Sequence, residues 1–199
     1  MKKKFLLVLL LVVVTLVLYS CKKDSNENPA AEYINESENL SIPASIDLPP
    51  NDPGGYARTH TFYAVGVQKY KAQPKSGSNP VTYEWVLTAP LADLYNPDYL
   101  KAGTHTAGPS WQLTGTADSI FAQHFTPKRT APATDAASVD WLLLMPKAGK
   151  VATGAFANTA YIQRIATKGG KAPATLPVSV SDTVDIPYTA VYRFSKKNP

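Results

Sequence analysis

Residues 186–195 read IPYTAVYRFS. Taken two at a time, Tyr188, Ala190, Tyr192 and Phe194 share one face, while Thr189, Val191 and Arg193 share the other. β-Branched and aromatic residues fill the run, so it reads as a strand. Working outward, six more stretches carry the same composition: HTFYAVGVQKYKA (60–72), VTYEWVLTA (81–89), SWQLTG (110–115), SIFAQHF (119–125), VDWLLLMP (139–146) and TAYIQRIAT (159–167). Glycine and proline clusters such as PKSGSNP, AGP, KAGK and KGGKAP separate them. No stretch keeps a 3.6-residue apolar repeat for three turns. APLADLYNPDYL (89–100) offers one short helical turn before Pro97 interrupts it. The expectation is an all-β, mainly antiparallel, single domain: a sandwich or barrel-like fold with long loops. There is no internal repeat.

The N-terminus is of another kind. Met1-Lys2-Lys3-Lys4 is a basic head, followed by the apolar run FLLVLLLVVVTLVLY. About 20 apolar residues are needed to span a bilayer, so this shorter run fits a secretory signal instead. It ends Leu18-Tyr19-Ser20-Cys21, which resembles the lipobox of bacterial lipoproteins. There the cysteine takes lipid through its thiolate. Residues 1–20 are thus expected to be removed, and Cys21 to tether the chain to a membrane. By resemblance to the Gram-negative sorting rule, Lys22, which is not Asp, points to the outer membrane, facing the periplasm or the cell surface. Cys21 is the sole cysteine, so no disulfide can form within the chain. Residues 21–40, polar and rich in Asn, Glu and Ser, read as a flexible tether reaching at most about 65 Å. SIPASIDLPPNDPGGY follows as an irregular lead-in, which starts the domain at Ser41 and runs it to 199.

The formal charge of +5 owes three lysines to the leader; without them 17 basic residues face 15 acidic ones. Such a balance does not suggest a nucleic-acid binder. Motifs for an activated serine, a zinc protease, a phosphate loop or a dinucleotide are all missing. No cofactor is expected. His60, His105 and His124 stand in three separate segments without metal-ligand spacing, so no metal site is expected either.

Candidate residues remain, each with two readings. His105, in GTHTAGPSW (103–111), has the chemistry of a general base or a ligand donor, or it ties down the loop ahead of Gly108-Pro109. Trp111 can stack on a flat ligand or open a core strand. Gln163 and Arg164 are adjacent in a strand and must face opposite sides. Arg164 offers a fork for a carboxylate or phosphate, or an internal partner for Glu84 or Asp140. Glu84, opposite Trp85, is free to act. TKGGKAP (167–173) lacks a following helix and reads as a turn, not an anion cradle.

AVGVQKY (64–70), GTHTAGPSW (103–111), WLLL (141–144), YIQRIATKGGKAP (161–173) and IPYTAVYRF (186–194) occur together, in this order, in a family of secreted proteins known as domain of unknown function 3455. The chain resembles that family over roughly residues 43–195. The resemblance implies a secreted or envelope-located β-rich domain of no established activity. Relatives commonly carry a cysteine soon after Q-x-Y and another after G-G-x-A-P, which look like a disulfide pair; both are missing here. Many also have D-G-S after the tryptophan stretch, where this chain has TGTADS (114–119).

Three functions stay open at this point. One is a non-catalytic envelope module binding a small polar ligand or glycan around His105, Trp111 and Arg164. Another is a hydrolase-type enzyme with His105 as base and Glu84 or Asp118 as its partner. The last is a structural component of the envelope.

Overall fold

Strand-forming stretches joined by short turns pair with their sequence neighbours, and here the pairing runs full circle. The computed structural model describes residues 29–50 and 54–199. The leader, Cys21 and the first part of the expected tether lie outside the described residues. Eight strands follow in order among the described residues: β1 (Tyr56–Pro74), β2 (Tyr83–Tyr95), β3 (Lys101–Thr106), β4 (Ser110–Leu113), β5 (Ser119–Ala131), β6 (Trp141–Pro146), β7 (Thr159–Gly169) and β8 (Thr183–Lys197). Each lies antiparallel to the next, and β8 returns to pair with β1 from Tyr56↔Lys197 to Lys71↔Thr183. The sheet is a closed barrel. Of the two all-β architectures expected, the barrel is the one formed, and closure removes most of the edge that a flat sheet would leave unpaired.

The alternation of β8 sets the layers. Tyr188, Ala190, Tyr192 and Phe194 point into the barrel, where they meet Phe62 and Ala64 of β1, Ala92 and Leu94 of β2, Trp111, Ile120, Leu144 and Ile162. The other face of β8 is equally dry. Val191 is buried outside the barrel with Tyr63, Trp141, Leu143 and Ile165, under a cover made of Ala30, Ile34 and Ile46. This cover is α1 (Pro29–Glu38) and the lead-in behind it. Residues 29–38, read from sequence as part of a flexible tether, form a helix packed on the barrel. Its buried stripe is narrow, Ala30, Ile34 and Ser37, which is why counting apolar residues misses it. Arg193 fixes it from below: its guanidinium donates to the Ser37 carbonyl oxygen at 2.7 Å and pairs with Glu38.

Two further elements differ from expectation. β2 continues through Tyr95, so residues 89–95 are strand, not a helical turn; the turn comes at Asn96, whose Oδ1 accepts from the Asp98 and Leu100 amides. β3 is a strand where a turn alone was expected, because its inward positions are Gly103 and His105 instead of apolar residues. Glycine is required there and at Gly66: a Cβ would come within 2.2 Å of the Gln112 carbonyl oxygen and 2.1 Å of the Leu91 carbonyl oxygen, respectively. Neighbouring strands thus approach more closely than any side chain allows.

The two ends of the barrel are unlike. At the floor, a 3₁₀ turn (Gly154–Phe156) tucks Phe156 under the strands, with ring centroids 4.9 Å from Phe194 and 6.4 Å from Phe62. The other end carries the β1–β2, β3–β4, β5–β6 and β7–β8 connections, and it is open.

Candidate ligand site at the barrel mouth

GTHTAGPSW folds as the β3–β4 hairpin. His105 lies directly across from Trp111, and Thr106 from Ser110. The His105 and Trp111 rings stack at 4.5 Å, inclined by 10°, and Tyr192 packs at an angle against both, 4.9 Å from the imidazole and 5.2 Å from the indole. His105 Nδ1 lies 2.8 Å from the Ser110 carbonyl oxygen. A carbonyl only accepts, so Nδ1 carries the proton and Nε2 the lone pair. Burial pushes the ring's pKa down to about 4, against the pull of the Ser110 carbonyl, with Arg164 lowering it further. At neutral pH His105 is therefore an uncharged ring that anchors its own hairpin. Gly108, at φ 125°, makes the turn.

Above this layer opens a cavity of about 580 Å³. Its walls come from both ends of the sequence. Gln68 of β1, Leu87–Pro90 of β2, His105, Trp111, His124 of β5, Leu142 and Leu144 of β6, Arg164 of β7 and Tyr192 of β8 line it, and Lys128, Asp140 and Lys171 stand at the rim. In register terms Leu142 pairs with Arg164, and Arg164 with Tyr192, which places the guanidinium on the inner face.

Arg164 is the electrostatic centre of the mouth. Its Nε and Nη2 donate to the Asp140 carbonyl oxygen at 3.2 and 2.7 Å. Among the described residues it makes no ion pair with a carboxylate. Its charge is felt by His124, whose pKa is lowered by burial first and then by Lys128 and Arg164. Burial raises Tyr192, while Arg164 pulls it the other way. Three polar atoms of residues in this wall are buried with no hydrogen-bond partner among the described residues: Gln68 Nε2, Trp111 Nε1 and His124 Nδ1. Buried polar groups are nearly always satisfied, so three orphans at one cavity ask for an explanation.

The residues singled out from sequence divide cleanly. His105, Trp111 and Arg164 meet in the mouth. Trp111 is 1% exposed and packed against His105, Tyr192 and Phe194, so it offers no stacking platform. Gln163 does face away from Arg164, as adjacency requires, but it is buried outside the barrel, donating to the Ile46 carbonyl oxygen at 2.9 Å. It belongs to the cover, not to the site. Glu84 is exposed near the far end of the β1–β2 ribbon, on the face opposite Trp85, whose indole reaches Thr175 on the mouth side. Asp118 sits at the floor, where its carboxylate accepts from the Ala155 amide. Neither carboxylate stands by His105. Gln68 and His124 were not singled out, yet both line the cavity. The available signal was parity: Gln68 shares a face with Phe62 and Ala64, and His124 with Ile120 and Ala122. Lys128 lies where the register of β5 breaks between His124 and Arg129, and Asp140 and Lys171 lie outside the strands, so no period places them.

Among the described residues, no three His, Cys, Asp or Glu side chains gather to hold a metal ion. No curated protein and no solved structure matches the chain. A family model described as "Protein of unknown function (DUF3455)" matches residues 53–196, which span β1 to β8 almost in full. The barrel and the hairpin that builds its mouth are thus the matched region, and the chain belongs to the DUF3455 family.

Proposed function

We propose that this protein is a non-catalytic binding module of the cell envelope that takes a small polar ligand into the mouth of its barrel. The observation that carries this reading is the cavity of about 580 Å³, walled by apolar side chains with Arg164, His124 and Gln68 among them. Pockets of 300–1,000 Å³ with apolar walls and a few convergent polar groups are where small molecules bind. An eight-stranded barrel has an interior that holds one such ligand. The non-catalytic half of the reading is supported by His105, whose nitrogen bonds its own hairpin, and by the distant placement of Glu84 and Asp118. Between a free polar molecule and a glycan, the covered face of Trp111 favours the former, because sugars are held by open aromatic platforms.

The proposed location follows from the leader: a basic head, a short apolar run and Leu18-Tyr19-Ser20-Cys21, with lipid on Cys21 holding the barrel to the outer membrane. The test is thermal unfolding of the full chain in non-ionic detergent against panels of polar metabolites, glycans, nucleotides and metal salts. A ligand that binds only the folded form at 100 times its Kd adds about 2.7 kcal/mol of stability. The expected result is a raised midpoint with at least one small polar compound, lost on filling the mouth with Gln68→Trp. A midpoint unmoved across every panel overturns the reading.

A further inference from the structure

Three cationic side chains, Arg164, Lys128 and Lys171, line the mouth against one acidic residue, Asp140. Asp140 meets Arg164 through its backbone carbonyl. Lys171 is likewise bound to a carbonyl, that of Ala136 at 3.0 Å. Arg164 and Lys171 therefore meet carbonyl dipoles, and none of the three cations forms an ion pair with a carboxylate among the described residues. Arg164 is half-buried at the open mouth, so its charge faces the cavity without a carboxylate to neutralise it. Elsewhere in the chain arginines do find one: Arg193, which is buried, pairs with Glu38, and Arg58 pairs with the same carboxylate.

Gln68, Trp111 and Tyr192 in the wall add N–H and O–H groups, which are covered by their neighbours. Between them the walls are apolar, with Leu87, Pro90, Leu142 and Leu144. We infer that the mouth is a site for a small organic carboxylate: its anionic head docks on the guanidinium of Arg164 and its apolar body lies against these four side chains. A carboxylate suits a guanidinium fork, which can meet both oxygens at once. A phosphate fits less well, because the apolar walls would leave several of its oxygens dry and unpaired. An organic cation would meet three like charges. His105 stays uncharged and adds no repulsion to a donor on the ligand.

The inference rests on the binding reading above and is tested so that the two fail separately. Phenylacetate and octanoate are titrated into the full chain, followed by tryptophan fluorescence and calorimetry. Their neutral amides and inorganic phosphate are titrated alongside. The carboxylates are expected to bind at least tenfold more tightly than the amides, and to lose that margin in Arg164→Gln. Phosphate is expected to bind more weakly than either carboxylate. Amides binding as well as carboxylates overturn the anion inference and leave the pocket standing, and phosphate binding best removes the apolar half of it. Failure of all these probes, with a neutral polar compound still raising the unfolding midpoint, overturns the inference alone; failure of every compound overturns both readings. The comparison of acid with amide is made on the unaltered chain, so it decides the matter even if Arg164→Gln does not fold.

Discussion

Acid should loosen this barrel through one residue. His105 is buried, neutral and bonded by Nδ1 to the Ser110 carbonyl oxygen. Its pKa falls from 6.5 in the open chain to about 4 in the barrel, chiefly through burial. Between those values the unfolded chain holds a proton that the folded one refuses. The stability is therefore whole above pH 6.5, is lost as pH falls toward 4, and changes no further through this group below that. At about 1.36 kcal/mol per tenfold change in proton affinity, the loss between pH 7 and pH 4 is about 3 kcal/mol. That is a sizeable share of the 5–15 kcal/mol typical of a domain. Urea midpoints at pH 7, 6, 5 and 4 would show it, provided a control removes the titration alone. His105→Asn is that control: its amide can still donate to Ser110, and it does not titrate. The other titratable groups, including His60 and His124, act alike in both chains. The unaltered protein should lose about 3 kcal/mol more than His105→Asn on going from pH 7 to 4. Parallel curves for the two would refute the burial and tautomer assigned to His105.

Two further outcomes follow from packing. Gly66→Ala should lower stability by about 3 kcal/mol or prevent folding, because its Cβ meets Leu91 and Ala92 backbone within 2.5 Å; Gly115→Ala, at φ 78° with open space around it, should cost only about 1 kcal/mol in the same urea series. Ile34→Ala should cost about 3 kcal/mol and open residues 29–48 to limited proteolysis, if α1 is as firmly seated as the burial of Ala30 and Ile34 indicates; equal stability and an unchanged cleavage pattern would return this segment to a mere tether.

How far the sequence could be read depended on where each polar residue pointed. β8 was legible from alternation alone, since Tyr188 to Phe194 face one way and the period of two is rigid. Alternation does not say which face is inside, however, and here both are: Val191 and Arg193 are as dry as Tyr192 because α1 covers them. β3 was illegible for the converse reason. Its inward pair, Gly103 and His105, carries no apolar signal, and it is held by the hairpin and by stacking on Trp111. Arg164 and Gln163 were correctly set on opposite faces. Only closure of the sheet could decide that Arg164 is the inner one and meets His105 from four strands away.

The contrast between the two ends of the barrel bears on function more than any single residue does. At the floor, Phe62 packs edge to face on Phe156 and Phe194, and Phe156 and Phe194 meet at a tilt. A chain shaped only to close a barrel would fill both ends in this way, because interiors pack without sizeable voids. At the mouth the same strands instead line a cavity of about 580 Å³, beside an arginine that meets no carboxylate among the described residues. The aromatic floor is what makes such a mouth tolerable, since it supplies cohesion that the mouth does not. Stability and recognition are thus divided along the barrel axis, and β8 spans both, with Phe194 in the floor and Tyr192 in the wall of the cavity.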